Sequence, residues 1–161
     1  MTQNVYDDAT FFASYSGLPR SVEGLDGAAG WPAMRAMLPA MAGLRVVDLG
    51  CGFGWFGRWA REAGAAGVLG VDVSHNMLER ARRDTADAAI AYERADLEQL
   101  DLPAGSFDLA YSSLVFHYIV DLAGLFAMVH RALVPNGHLI FSIEHPIYMA
   151  PRNPAWSADA E

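Results

Sequence analysis

The ten residues RVVDLGCGFG at positions 45–54 decide the fold. The letters RVVDL predict a short buried strand, because β-branched and apolar residues dominate them. Glycine then occupies every second position from Gly50 to Gly54. A residue without a Cβ lets the backbone turn tightly and come close to a ligand. We therefore predict a strand that runs directly into a ligand-binding bend.

The sequence that follows this bend alternates between helical and strand patterns. Ser74 is placed to cap one of the helices, and Asn136-Gly137 predicts a turn that tolerates positive φ. Four further strands are predicted at residues 68–71, 89–92, 107–112 and 138–143. This alternation indicates an α/β fold with a Rossmann-like, doubly wound, mostly parallel sheet that is flanked by helices.

The chain divides into three segments along its length. It has 161 residues, which is the size of one domain. Residues 1–43 are interrupted by glycine and proline, and they are predicted to form an N-terminal cap of loops and short helices. Residues 44–145 are predicted to form the ligand-binding core. Residues 146–161 are rich in proline and are predicted to form a tail.

Charge and composition argue against several classes of function. The formal net charge is −8, so a nucleic acid backbone would be repelled, and a small cationic or neutral molecule is the favoured partner. No stretch predicts a membrane span, and no signal peptide is recognisable at the N-terminus. Cys51 is the only cysteine, so no internal disulfide is possible and a cytoplasmic location is expected.

Acidic residues follow three successive predicted strands. Asp48, Asp72 and Asp96 should meet at one edge, because ligands bind beyond the carboxyl ends of parallel strands. The letters GFGWFG at 52–57 also match a dinucleotide-binding pattern. Asp48 would oppose a pyrophosphate on that bend. It would favour S-adenosylmethionine, which has no phosphate and carries a sulfonium and an ammonium.

The same residues resemble the motifs of class I S-adenosylmethionine-dependent methyltransferases, most closely the type 11 methyltransferase domain. The resemblance covers residues 44–143 and includes the first motif of that family at 46–54. The other matching segments are LGVDVSHNML at 69–78, RADL at 94–97, SFDLAYSSLVFH at 106–117 and LVPNGHL at 133–139. S-adenosylmethionine is therefore the expected cofactor.

The resemblance implies a role for each matching position. The residues implied around the methionine moiety and the ribose are Gly50, Cys51, Gly52 and Asp72. The residues implied around the adenine are Val73, Met77, Asp96 and Leu97. The Ser112 carbonyl is expected to receive the cofactor ammonium. Tyr15 and Arg20 are expected to cap the cofactor, with Arg20 pairing its carboxylate.

The sequence departs from the family pattern in two places. Asn136 stands where the family usually has glycine. Family members also add a helix and two strands after the fifth strand, whereas only residues 144–161 follow it here. We therefore expect a truncated chain or a fragment that lacks the last strands. Its fifth strand would be an exposed apolar edge through which a homodimer could form.

The expected chemistry is in-line displacement of the methyl group by a nucleophile of a small molecule. Orientation supplies much of the rate, and a base is needed only if the nucleophile arrives protonated. His117 and His145 follow the fourth and fifth strands and are the candidate catalytic residues. No spacing predicts a metal site. A dinucleotide-binding oxidoreductase module and a non-catalytic binding protein that keeps the fold remain as alternatives.

Overall fold

The N-terminal segment consists of short helices laid over the core. The computed structural model describes residues 4–145. A 3-10 turn at Val5–Asp7 leads into α1 (Ala9–Ser16), α2 (Pro19–Val22) and α3 (Trp31–Met37). Asp8 is the N-terminal cap of α1, because its carboxylate accepts hydrogen bonds from two backbone N–H groups of the first turn.

The remaining described residues form a five-stranded sheet with helices between its strands. The elements are β1 (Arg45–Leu49), α4 (Trp55–Glu62), β2 (Gly67–Asp72), α5 (His75–Arg83), β3 (Ile90–Arg94), β4 (Phe107–Ser113), α6 (Leu122–Ala132) and β5 (Leu133–Ser142). Every pair of neighbouring strands is parallel, in the order β3-β2-β1-β4-β5. The Rossmann-like fold is thus confirmed. The tail predicted for 146–161 lies outside the described residues.

Both faces of the sheet are covered, as the apolar strands require. Successive residues of a strand point to opposite faces. Val46 accordingly packs with Trp31 and Phe56 on one face, whereas Val47 packs with Phe116 and Leu125 on the other. Both valines are 1% exposed, so β1 forms the centre of the core.

The fifth strand begins earlier than its sequence predicts. Leu133 already pairs with Phe107, and the regular register resumes only at His138. The intervening bulge contains Asn136, whose φ of 65° confirms the predicted left-handed backbone. β5 lies at the edge of the sheet, and Phe141 is 38% exposed there. Pairing of a second copy along this edge stays a prediction.

The strand order places a binding crevice at one end of the sheet. The chain moves outward from β1 to β3 and then returns to β4 on the other side of β1. Ligands bind outside the carboxyl ends of the strands at such a switch point. Within residues 4–145, no helix is both long and apolar enough to cross a membrane.

Candidate cofactor site

A cavity of about 620 Å³ lies at the carboxyl ends of the strands. The core supplies one part of its wall, including Asp48, Gly50, Cys51, Gly52, Asp72, Val73, Met77 and Leu97. The N-terminal segment supplies another part, including Tyr6, Tyr15, Arg20, Leu25, Ala28, Trp31 and Met34. The predicted cap and the predicted core therefore line the same cavity.

The glycine bend has the left-handed backbone that its sequence predicts. Gly50, Gly52 and Gly54 have φ values of 80°, 52° and 72°. A Cβ on Gly50 would lie 2.3 Å from the Val115 side chain, and one on Gly54 would lie 2.1 Å from the Tyr92 hydroxyl. A Cβ on Gly52 would meet nothing within 4 Å. The space beside Gly52 is therefore open to the cavity, whereas Gly50 and Gly54 pack closely against the side chains of Val115 and Tyr92.

This contrast gives a matched pair of variants. We expect Gly54→Ala to lower the free energy of unfolding by about 2–4 kcal/mol, because it combines left-handed strain with a clash. Gly52→Ala should lose only about 1–2 kcal/mol, since it suffers the backbone strain alone. Denaturant unfolding of both variants measures the difference. Equal losses would contradict the assigned packing of this bend.

Asp72 connects the glycine bend to the start of α5. It is 9% exposed, and its two carboxylate oxygens accept hydrogen bonds from Gly52 N at 2.8 Å and Ser74 N at 2.9 Å. Burial raises the pKa of Asp72, and these backbone bonds oppose that shift. Each carboxylate oxygen has a second lone pair. Asp72 can therefore hold the bend and still accept two hydroxyl groups.

Asp48 is a buried carboxyl group that has no partner in the described part of the chain. It lines the cavity and is 2% exposed, and no donor among the described residues hydrogen bonds to it. Burial and the charge of neighbouring Asp72 raise the pKa of Asp48 to about 8. An unpaired charge in such a place is costly unless a cation approaches it. The site is thus better suited to a cationic ligand than to an anion.

The residues expected around the adenine are only partly brought together. Val73, Met77 and Leu97 line the cavity. Asp96 is not among the described lining residues. Its carboxylate accepts from Glu98 N at 3.0 Å and its carbonyl accepts from Gln99 N, so it closes the turn after β3. Its contact with adenine stays a prediction.

The Ser112 side chain makes its hydrogen bond inside the sheet. Its side chain is fully buried, and its hydroxyl donates to the Leu49 carbonyl at 2.7 Å. Ser113, the next residue, lines the cavity instead. The alternation of side chains along β4 explains the difference, because neighbouring residues face opposite sides of the sheet. The role predicted for Ser112, binding of the cofactor ammonium, belongs to its backbone carbonyl and stays a prediction.

The N-terminal segment brings both of its predicted cofactor residues to the cavity. Arg20 lies over the Tyr15 ring at 5.8 Å and forms no ion pair with any residue in 4–145. Tyr6 and Tyr118 also line the cavity, and burial together with the neighbouring Tyr118 hydroxyl raises the pKa of Tyr6. The sequence did not predict that these two residues meet, because 112 positions separate them.

Neither predicted catalytic histidine is among the described lining residues. His117 precedes Tyr118, and its Nδ1 accepts a long hydrogen bond of 3.5 Å from Glu144 N. No described residue hydrogen bonds to its buried Nε2, and burial lowers the pKa of His117, so the ring is mainly neutral at pH 7. His145 is exposed at the end of the described residues. Catalytic roles for both stay predictions.

The residues present suit S-adenosylmethionine. Asp48 and Arg20 have no ion-pair partner within residues 4–145, so they can offer a carboxylate to a cation and a guanidinium to a carboxylate, and Asp72 can accept ribose hydroxyls. A dinucleotide would bring its two phosphates toward two acidic side chains, of which Asp48 ionises readily only beside a positive charge, so an anion gains nothing from this site. No cluster of metal-binding side chains occurs in the described part of the chain.

Comparison with known proteins agrees with this geometry. A family model described as a methyltransferase domain matches residues 47–141. The crystal structure of an S-adenosylmethionine-dependent methyltransferase from Mesorhizobium loti is 66% identical, with a TM-score of 0.80, and the match covers 83% of this chain and 62% of that chain. Phosphoethanolamine N-methyltransferase 2 of Haemonchus contortus, solved with S-adenosyl-L-methionine, is 28% identical with a TM-score of 0.74, over 86% of this chain and 34% of that chain.

A curated relative is also a methyltransferase. Malonyl-[acyl-carrier protein] O-methyltransferase of Enterobacter lignolyticus is 36% identical over 78% of this chain and 49% of that protein. The chain spans less than two thirds of the length of each of these relatives. The family model nevertheless covers most of the sheet and the glycine bend. The chain therefore belongs to the class I S-adenosylmethionine-dependent methyltransferases.

Proposed function

We propose that the protein containing this chain transfers a methyl group from S-adenosylmethionine to a small-molecule acceptor. One observation carries the proposal. Two buried carboxylates, Asp48 and Asp72, flank an open glycine bend, and one of them has no partner in the described chain. A phosphate-free nucleoside with positive charge satisfies both carboxylates. Family membership supports the same conclusion.

The bound cofactor supplies a methyl group on a positively charged sulfur, which is already a good electrophile. The residues of the chain bind and orient. Asp72 anchors the ribose while it holds the bend at Gly52, and Asp48 balances positive charge. Tyr6, Tyr15 and their neighbours cover the cavity, which excludes water from the reaction. Holding the reactants in line is the main contribution to rate.

The acceptor would occupy the more apolar part of the cavity. Leu25, Ala28, Trp31, Met34 and Phe56 line this part, and none of them carries a charge. The names of the relatives indicate an oxygen acceptor in one case and a nitrogen acceptor in another. We therefore propose a small acceptor with an apolar portion and assign no acceptor atom. His117 is our candidate base for an acceptor that arrives protonated.

Calorimetric titration and a transfer assay test this proposal together. We expect S-adenosylmethionine and S-adenosylhomocysteine to bind with micromolar affinity and NAD not to bind. Radioactive methyl groups should then appear on at least one member of a panel of alcohols, carboxylates, amines and thiols. Binding of NAD alone would refute the proposal. Tight adenosyl binding without any transfer would favour a non-catalytic binding protein.

A further inference from the structure

Asp7 joins the N-terminal segment to the start of α5. Its Oδ1 accepts a hydrogen bond from the Ser74 hydroxyl at 2.6 Å and another from Asn76 N at 3.1 Å. Its Oδ2 accepts from His75 N at 3.3 Å and lies 3.7 Å from the Arg94 guanidinium. A residue 67 positions away in the sequence thus caps this helix.

These contacts form a charged attachment point. The N-terminus of a helix carries unsatisfied N–H groups and partial positive charge, so a carboxylate binds there favourably. Hydrogen bonds to an ionised carboxylate are also stronger than neutral ones. Desolvation raises the pKa of Asp7, but the hydrogen bonds from Ser74, Asn76 and Asn4 outweigh it, so the pKa is lowered overall. The carboxylate is therefore charged at neutral pH.

The attached segment covers the cavity. Residues 4–22, which we call the N-terminal strap, contribute Tyr6, Tyr15 and Arg20 to its wall. The helix at the attachment point contributes Met77, and Asp72 and Val73 come immediately before its cap. Asp7 therefore connects the cover of the cavity to the loop that holds the ribose and adenine residues.

Besides Asp7, the strap has another charged contact with α5, a hydrogen bond of 3.0 Å from the Arg80 guanidinium to the Ser21 carbonyl. Neither the turn at Val5–Asp7 nor α1 contains a fully buried residue. Ser16 and Ser21 of the strap each bury a hydroxyl oxygen that finds no hydrogen-bond partner among residues 4–145, and opening would let water reach both. Aromatic contacts of Phe12 and Tyr15 with Phe53 oppose that opening.

We propose that Asp7 is a latch that holds the N-terminal strap closed over the cofactor. Asp7 is then a positioning residue that controls how fast the cofactor leaves, and it acts through Tyr6, Tyr15 and Arg20 rather than by touching the reacting atoms. The part about the cofactor rests on the proposed function. The part about the strap concerns the ligand-free protein alone.

Limited digestion with trypsin tests the strap without any ligand. Cleavage after Arg20 requires the strap to open. We expect Asp7→Ala to accelerate this cleavage roughly tenfold, because a charged helix cap is lost. Asp7→Asn should be intermediate, since its amide oxygen can still accept from Ser74. Asp8→Asn is the charge-matched control, because asparagine caps α1 equally well. Mass spectrometry of the fragment 1–20 gives the rates.

The thermal midpoint separates the latch from a general loss of stability. We expect Asp7→Ala to leave the main unfolding transition, which reports the sheet, nearly unchanged. Cleavage after Arg20 at the wild-type rate in Asp7→Ala would overturn the latch. Equal acceleration at Arg20 and at Arg61, which lies in α4, would also overturn it, because that result indicates global destabilisation.

Stopped-flow release of S-adenosylhomocysteine tests the cofactor part. Trp31 and Trp55 line the cavity and provide the fluorescence signal. Asp7→Ala should release this ligand roughly tenfold faster than the wild type, whereas Asp8→Asn should match the wild type. Faster cleavage with unchanged release would overturn the role in cofactor retention. If the wild type binds no adenosyl ligand, the proposed function fails while the digestion still decides the latch.

Discussion

Asp72→Ala is expected to weaken binding of S-adenosylhomocysteine by at least about 100-fold, because it removes two charge-assisted hydrogen bonds to the ribose. The same change releases Gly52 N and Ser74 N, which the carboxylate now fixes at the two sides of the site. The variant is therefore expected to lose both the anchor for the ribose and the fixed positions of these two N–H groups. Isothermal titration calorimetry gives the dissociation constants.

Two further variants separate the contributions of Asp72. Asp72→Asn keeps the size of the side chain and one acceptor oxygen, so its affinity should lie between those of the wild type and the alanine variant. Glu79→Ala removes an acid from the exposed side of α5 and should leave affinity unchanged. An alanine variant at position 72 that is folded, by circular dichroism, and binds like the wild type would refute the assignment.

Asp48→Asn is expected to make the ligand-free protein more stable at pH 8. The folded-state pKa of about 8 lies above the ordinary value of 3.8. The folded state therefore keeps a proton that the unfolded state releases. The favourable contribution is complete below pH 4 and is lost as pH rises toward 8. Replacing the carboxyl removes this loss, which we expect to amount to about 5 kcal/mol, or roughly 10–20 °C in Tm, at pH 8.

Thermal unfolding between pH 5 and 9 measures this effect. The difference in Tm between Asp48→Asn and the wild type should be smallest at pH 5, where the loss has only begun, and should grow steadily toward pH 8. Glu62→Gln makes the same charge change on the exposed surface and should show no such trend. The stabilised Asp48→Asn variant should also bind S-adenosylmethionine more weakly, because the cation loses its counter-charge. A constant difference in Tm across this range would show that Asp48 is not a buried carboxyl with a raised pKa.

Local sequence signals predicted the parts of the site that depend on neighbouring residues. The RVVDL pattern gave β1, because alternate side chains cover both faces of a central strand. The glycine bend followed from the absence of Cβ atoms at Gly50, Gly52 and Gly54, all of which have positive φ. Ser74 caps α5 as its residue type predicts, accepting from Met77 N at 3.2 Å.

Contacts that join distant segments were not predictable in the same way. Nothing in the spacing of Asp7 indicates that it caps a helix beginning at His75, because that contact depends on how the strap folds over the sheet. The start of β5 was predicted five residues too late, because Leu133 already pairs with Phe107 before the bulge around Asn136, whereas the pairing from His138 to Ser142 was predicted correctly. Asp96 closes its own turn through Glu98 N, a local alternative that an acid in a loop always has.

We propose that the buried acidic side chains around the glycine bend receive a positively charged nucleoside. The decisive measurement is a crystal structure of the protein with S-adenosylhomocysteine. We expect the two ribose hydroxyls to donate to Asp72, with the amino acid end of the ligand beside Asp48 and the Gly52 backbone. A ligand bound elsewhere, with both acidic side chains turned away from it, or a phosphate held by the bend, would refute this proposal.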